Sequence, residues 1–199
     1  MMVKNIEQKL AHDYTDAVFV GLGGCGTNTI ARLRRSGIKG NKTVIVERFS
    51  VSDAAKLNNV SYVALLGRPA DPGYYRLPLS PDERDHANKL LKIELAGAKK
   101  VLLFAGLGGF TGTGLAPIAA AVAKAEGAQL GMVITYPFKL EKKRREIADK
   151  NFPNLQSMAD DFLMRRNDDL VTICPDSTIA DAFVMQDDAL AEEIKGKGR

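Results

Sequence analysis

The sequence predicts an α/β domain built on a doubly wound, mainly parallel sheet with helices on both faces. Short apolar runs alternate with helical patterns along the whole chain, which is βαβα order. The runs are continuously apolar, as strands buried on both faces of a parallel sheet must be. Two glycine-rich loops each follow an apolar run and precede a helical pattern, where doubly wound folds place their ligands. No repeat, low-complexity tract or linker divides the 199 residues, so one domain over 1–199 is expected, with 1–15 as an N-terminal extension.

Strands are expected at residues 17–20, 43–46, 62–66, 100–104, 130–135 and 170–173. Helices are expected at 27–36, 81–96, 114–126, 142–151, 154–164 and 178–194. The helix at 81 starts well: Ser80 stands as N-cap, Pro81 at the first helical position, and Asp82 and Glu83 in the first turn. Between 68 and 78, Pro69, Pro72, Gly73 and Pro78 break any pattern and read as a loop. Val3, Ile6, Leu10 and Tyr14 have helical apolar spacing and are expected to pack against their own domain.

Composition narrows the function. The chain is 45% apolar and 26% charged, with 28 Lys+Arg against 24 Asp+Glu, a net +4. That suits a phosphorylated ligand but is no nucleic-acid-binding surface, so no nucleic acid is expected as partner. Two cysteines, Cys25 and Cys174, and two histidines, His12 and His86, are too few and too scattered for zinc, and free thiols are expected. No stretch of about 18 apolar residues occurs, so no transmembrane segment is expected. Lys4, Glu7, Lys9 and Asp13 break any signal-peptide core, and a cytoplasmic location follows as the expectation.

The first loop reads Gly21-Leu22-Gly23-Gly24-Cys25-Gly26-Thr27-Asn28. Glycines there let backbone N–H groups approach phosphate oxygens at the positive end of a helix. Gly21, Gly23 and Gly26 also fit the dinucleotide fingerprint, with Glu47 closing the second strand where a ribose-binding acid would stand. Close strand-to-helix packing is a third, purely structural reason for such glycines. The second loop, Ala105-Gly106-Leu107-Gly108-Gly109-Phe110-Thr111-Gly112-Thr113-Gly114, offers another phosphate cradle. Two loops on neighbouring strands grip a di- or triphosphate from two sides, whereas a dinucleotide fold needs one. Neither loop continues into Gly-Lys-Ser or Gly-Lys-Thr, so this is no ordinary P-loop nucleotidase.

Gly108-Gly109-Phe110-Thr111-Gly112-Thr113-Gly114 resembles the GGGTGTG signature of the tubulin/FtsZ family, with Phe110 in place of one glycine. The first loop resembles the family's opening glycine loop, ending in Asn28, and Cys25 is similar to the cysteine of the tubulin version. Thr135-Tyr136-Pro137-Phe138-Lys139-Leu140-Glu141 followed by Arg145 resembles the FtsZ stretch T-x-P-F-x-x-E-x-x-x-R. Asp181-Ala182-Phe183 with Asp187-Asp188 resembles the start of the family's central helix, placed here at 178–195. The resemblance implies a cytoskeletal, cell-division type of protein with a Rossmann-like GTPase domain that binds GTP or GDP, with Mg2+ entering through the phosphates. It places Gly23, Gly24, Cys25, Gly26, Thr27 and Asn28, with Gly106, Gly108, Gly109, Phe110, Thr111, Gly112 and Thr113, around the nucleotide. Asn28 also lies towards the base. Glu141 and Arg145 would hold the ribose and its neighbourhood. Phe183 and Asp188 would face the guanine, whose ring N–H and amine need an acceptor.

Departures from the family pattern qualify that expectation. The family's Asn-Thr-Asp after the second strand reads Glu47-Arg48-Phe49-Ser50, and its third glycine loop reads Gly67-Arg68-Pro69-Ala70-Asp71-Pro72-Gly73, whose prolines lack N–H donors. Recognition of a γ-phosphate is therefore in doubt, and Arg68 and Arg76 read as surface arginines. The sequence ends at Arg199, where the family's second domain would follow. Glu192 and Glu193 read as a solvated helix face, so no acid stands ready to activate water. General-base catalysis supplies roughly 10² to 10⁴-fold, so GTPase activity is expected to be slow or absent, and no catalytic residue is assigned. The head-to-tail filament is expected to fail. A switch, a scaffold or an assembly partner is expected, working with a second copy or another FtsZ-like protein. A GTPase completed in trans remains the alternative, as does an ATP- or dinucleotide-binding Rossmann protein of ubiquitin-activating type, suggested by Gly21 to Gly26, Glu47 and Lys56-Leu57-Asn58-Asn59. Lys139, Lys142, Lys143 and Arg144 read as a solvated face laced with Glu141, Glu146 and Asp149. Cys25 reads as a small filler, with an activated thiol as the other reading, and His86 as a surface residue.

Overall fold

The computed structural model describes residues 10–49, 59–66, 78–173 and 175–197. The elements run β1 (Val18–Leu22), α1 (Gly23–Arg35), β2 (Lys42–Phe49), β3 (Ser61–Leu66), α2 (Pro81–Leu95), β4 (Lys100–Gly106), α3 (Phe110–Ala125), β5 (Gln129–Tyr136), α4 (Lys142–Met158), β6 (Asp161–Arg166), α5 (Asn167–Ile173) and α6 (Ile179–Lys197). The six strands form one sheet in the order β3-β2-β1-β4-β5-β6, and every neighbouring pair is parallel. The order reverses between β1 and β4, and that reversal opens a crevice beyond their carboxyl ends.

Both faces of the sheet are covered, which is why its strands read as continuous apolar runs. On β4, Val101, Leu103 and Ala105 face one way, with α2, α3 and α4 supplying Leu91, Leu115, Ala119 and Phe152. Leu102 and Phe104 face the other, against Ile30 and Leu33 of α1 and Leu190, Ala191 and Ile194 of α6. Leu10 and Tyr14 join this second layer, so the end of the N-terminal segment packs on its own domain, with residues 10–14 in irregular chain. The Leu10 N–H donates to Glu193 Oε1 at 3.0 Å, so Glu193 is engaged and not simply solvated. Val3 and Ile6 lie outside the described residues.

Five of the six strands fall where the sequence places them. The sixth does not: 154–158 are the end of α4 and not the start of a separate helix running to 164, and 170–173 are helical and not a strand. Instead α4 continues to Met158 through Pro153, because its buried stripe, Ala148, Phe152 and Leu155, keeps helical spacing across the proline. The strand is 161–166, where Asp161, Arg165 and Arg166 mask the apolar signal. Asp161 accepts from the N–H of His12 at 2.9 Å and pairs with its Nδ1 at 2.7 Å, while Arg165 pairs with Asp187 at 2.7 Å. These charges are buried because partners distant in sequence meet them. Residues 167–173 become the short helix α5.

The Ser80 cap forms as expected: its hydroxyl accepts from the Glu83 N–H, and Glu83 returns a carboxylate to the Ser80 N–H at 2.8 Å. His86 is exposed on α2. Among the described residues no helix is long and apolar enough to cross a membrane.

Candidate functional site

The two glycine loops leave β1 and β4, the strands on either side of the reversal, and lead directly into α1 and α3. Their glycines divide by physical role. A Cβ on Gly26 would stand 2.2 Å from the Phe104 carbonyl oxygen, and one on Gly112 2.3 Å from that of Gly106. Those two are required for helix-on-strand packing. Gly108 adopts φ +83° and would drive a Cβ to 2.6 Å from the Arg144 carbonyl oxygen; Gly23 adopts φ +67° against Thr111. Gly24 and Gly109 are different: a Cβ on either meets nothing within 4 Å, and neither has a positive φ. Both line a cleft of about 720 Å³, a size suited to a nucleotide-sized ligand.

Electrostatics favour an anion in that cleft. Neither α1 nor α3 has a side-chain N-cap or an acid in its first turn, whereas α2 carries a capping box with two acids. Unspent N–H groups and the positive ends of two helix dipoles therefore meet at one place. Arg32, Arg35, Arg144 and Arg165 also line the cleft, against two carboxylates, Glu141 and Asp187. Both carboxylates are engaged. Glu141 accepts from the Phe138 N–H at 3.1 Å and from Arg144 at 2.8 Å; Asp187 accepts from the Thr29 hydroxyl at 3.1 Å and pairs with Arg165. Among the described residues no group of three or more His, Cys, Asp or Glu is placed to hold a metal.

Of the residues expected at the site, Gly23, Gly24, Cys25, Asn28, Gly106, Gly109, Phe110, Thr111, Gly112, Glu141 and Phe183 line the cleft. The other six are not among the residues that line it. Gly26 and Gly108 serve the packing just described. The Thr27 hydroxyl donates to buried Glu47 at 2.9 Å, and that acid is not among the residues that line the cleft. The Thr113 hydroxyl accepts from the Gly108 N–H at 2.9 Å and so fixes the second loop. Arg145 donates to the Pro137 carbonyl and to Asp168 and lies 4.6 Å over the Tyr136 ring. Asp188 pairs with Arg32 at 2.5 Å.

The activated-thiol reading of Cys25 is corrected by its surroundings. Burial pushes its pKa up, and Thr135 and Arg165 only partly offset that. The residue fills space beside Gly106, whose Cβ would fall 2.8 Å from the Cys25 Cβ. Residues 50–58 and 67–77, with Lys56, Arg68 and Arg76, and also Cys174, lie outside the described residues.

The cleft also holds Thr29, Arg165 and Asn167, which the sequence did not single out, and Thr135, which was read only as part of a motif and given no place at the site. Asn167 is buried, and its Oδ1 has no partner among the described residues. It is the first residue beyond β6, so the rule that picked out the glycine loops would have found it had the strand been placed at 161–166.

The fold and cleft define a doubly wound domain of nucleotide-binding type. Residues 82–175 match the model of the Tubulin/FtsZ family, GTPase domain. Cell division protein FtsZ 2 of Methanocaldococcus jannaschii is 37% identical over 183 residues, covering 90% of this chain and 47% of that protein. Cell division protein FtsZ of Methanothermobacter thermautotrophicus is 35% identical over 184 residues, covering 89% and 47%. Among solved structures, an empty FtsZ dimer of M. jannaschii matches with a TM-score of 0.72 and 28% identity, over 97% of this chain and 55% of that one. The chain belongs to the tubulin/FtsZ family and spans about half the length of the curated relatives it matches.

Proposed function

We propose that this domain binds GTP or GDP in the β1/β4 cleft and serves as a cytoplasmic, FtsZ-like assembly module that turns nucleotide over slowly or not at all by itself. The observation that carries the reading is the open space at Gly24 and Gly109. Packing and backbone conformation account for the other loop glycines of the cleft, whereas at these two a side chain would enter the volume a ligand needs. The N–H groups at the starts of α1 and α3 hold the phosphates from two sides. Asn28 and Glu141 contact the sugar and its surroundings, Phe183 packs on the base, and the acidic pair Asp187-Asp188 of α6, of which Asp187 lines the cleft, supplies the acceptor for the guanine ring N–H and amine. Mg2+ enters on the phosphates, with the hydroxyl of Thr111 within the same loop.

Slow turnover follows from the engaged carboxylates. Glu141 accepts through both its oxygens and Asp187 meets Thr29 and Arg165 through Oδ1, so both acids are tied into the cleft wall and neither stands as a dedicated base for attacking water. A second copy or another FtsZ-like protein would have to supply that group.

The test is thermal unfolding of nucleotide-stripped protein with GTP, GDP, ATP and NAD. A ligand at about a thousand times its Kd adds roughly 4 kcal/mol, on the order of 10 °C at this size. Stabilisation by guanine nucleotides alone supports the reading, and stabilisation by ATP or NAD alone overturns it. Phosphate release that rises more steeply than protein concentration would show that a partner copy completes the site.

A further inference from the structure

We propose that Arg165 is a base-selecting residue of the cleft: its guanidinium donates to the 6-oxygen of a bound guanine, while neighbouring Asp187 accepts the ring N–H beside that oxygen. This deepens the guanine-nucleotide reading and rests on it. Both residues line the cleft, with Phe183 one turn before Asp187 on the same face of α6. Along β6, Phe162 and Met164 belong to the first core layer and Leu163 packs against the second, so strand alternation turns Arg165 towards α1 and α6. Its side chain is only 7% exposed. Nε donates to Gln186 Oε1 at 2.9 Å, and Nη1 stands 2.7 Å from Asp187 Oδ1. That approach is off the hydrogen-bond direction, and Nη1 makes no hydrogen bond to any described residue. A buried guanidinium with an unspent donor is costly, and at the wall of a cleft the ligand is the partner that can meet it.

Asp187 supplies the complementary half. Its Oδ1 takes the Thr29 hydroxyl at 3.1 Å and faces Arg165, whereas Oδ2 carries no bond to a described residue. Arg165 and Asp187 thus set a donor and an acceptor side by side at the cleft. Guanine carries the inverse pair on one edge, an oxygen at position 6 beside a ring N–H at position 1. Adenine reverses both: its amine would meet the Arg165 donor, and its bare ring nitrogen would meet the carboxylate. A carboxylate alone rejects adenine at one atom, whereas the ion pair rejects it at two. Arginine suits this task, because its guanidinium is always charged and its in-plane donors match the oxygen of guanine, as they do in nucleic acids. A buried ion pair adds little stability of its own, so recognition gives this one a reason to exist.

One atom of the ligand separates the outcomes. In 6-thio-GDP a sulfur, which is a weak acceptor, replaces the 6-oxygen, while IDP keeps that oxygen and lacks the 2-amine. Calorimetric titration of the 199-residue chain should show 6-thio-GDP binding about tenfold more weakly than GDP, the order of one hydrogen bond to a charged group. In Arg165→Met, which keeps an apolar stem and loses every donor, that ratio should fall to about one, while the preference for GDP over IDP stays as in wild type. Equal affinity of the wild type for GDP and 6-thio-GDP overturns the proposal. So does a ratio that survives in Arg165→Met, since another donor then meets the oxygen. If both preferences collapse together in Arg165→Met, the arginine acts by holding Asp187 and does not touch the base, which overturns it too. Should Arg165→Met not fold, Arg165→Gln carries the test: its neutral donor should leave a ratio of about two- to threefold, and an undiminished ratio overturns the proposal. If the wild type binds ADP as tightly as GDP, the guanine reading itself has failed and Arg165 falls with it. GDP preferred over ADP with no loss for 6-thio-GDP removes Arg165 alone.

Discussion

Gly24→Ala and Gly109→Ala separate the packing and ligand-binding reasons for glycine at the cleft. A Cβ at either position meets no protein atom within 4 Å, and neither backbone lies in the left-handed region. Stability should therefore hold; within helix α1, Ala for Gly even tends to stabilise, by about 0.5–1 kcal/mol. The added methyl instead enters the cleft and holds a phosphate oxygen off the backbone N–H behind it. Losing one hydrogen bond to a charged group costs about 1.5–3 kcal/mol, or roughly ten- to a hundredfold in Kd. Gly26→Ala and Gly112→Ala are the controls, since their Cβ would fall 2.2 and 2.3 Å from carbonyl oxygens and should destabilise the fold. Calorimetric titration with GDP beside a thermal melt measures both quantities on each variant. Wild-type GDP affinity in Gly24→Ala and Gly109→Ala would refute the placement of phosphates against these loops.

Other residues give further tests. Thr113→Val leaves the Gly108 N–H buried without its acceptor, which should cost about 1–3 kcal/mol and lower Tm by roughly 2–4 °C for each. Asp187→Ala strands Arg165 in the interior and should cost about 3–5 kcal/mol by thermal or urea unfolding, whereas Asp188→Ala breaks only a water-exposed pair with Arg32 and should leave Tm near wild type. Burial raises the pKa of Glu47 above its ordinary 4.5, against a smaller opposing contribution from Thr27. Its contribution to stability is thus full below 4.5 and is lost as pH rises through the raised folded value. Glu47→Gln should accordingly melt higher than wild type at neutral pH, with the gap closing in acid; a gap independent of pH would show that Glu47 does not titrate on unfolding.

Much of the architecture was legible in the sequence because parallel strands buried on both faces read as plain apolar runs. Val101 to Phe104 could hardly be anything else once Gly106 to Gly114 followed. The sixth strand hid because its charges are met by residues far along the chain: Asp161 by His12, and Arg165 by Asp187. Pro153 compounded the error by suggesting a helix boundary where the buried stripe runs on. Misplacing that strand concealed Asn167 at the cleft. Loop motifs, by contrast, were easy to find but could not distinguish glycines that pack from glycines that face a ligand. Gly26 and Gly24 stand two residues apart with opposite surroundings: a Cβ on Gly26 would meet the Phe104 carbonyl and the Gly21 backbone, and one on Gly24 would meet nothing. Thr27 and Thr113 looked like phosphate ligands, yet their hydroxyls hold Glu47 and Gly108.

The most direct test of the central claim is calorimetric titration of the stripped 199-residue chain with GDP and, separately, ADP. The account predicts one GDP site per chain and at least a hundredfold weaker ADP binding, the order of discrimination expected when a wrong base leaves an acceptor unpaired. Equal affinities for the two, or no heat with GDP, would contradict it.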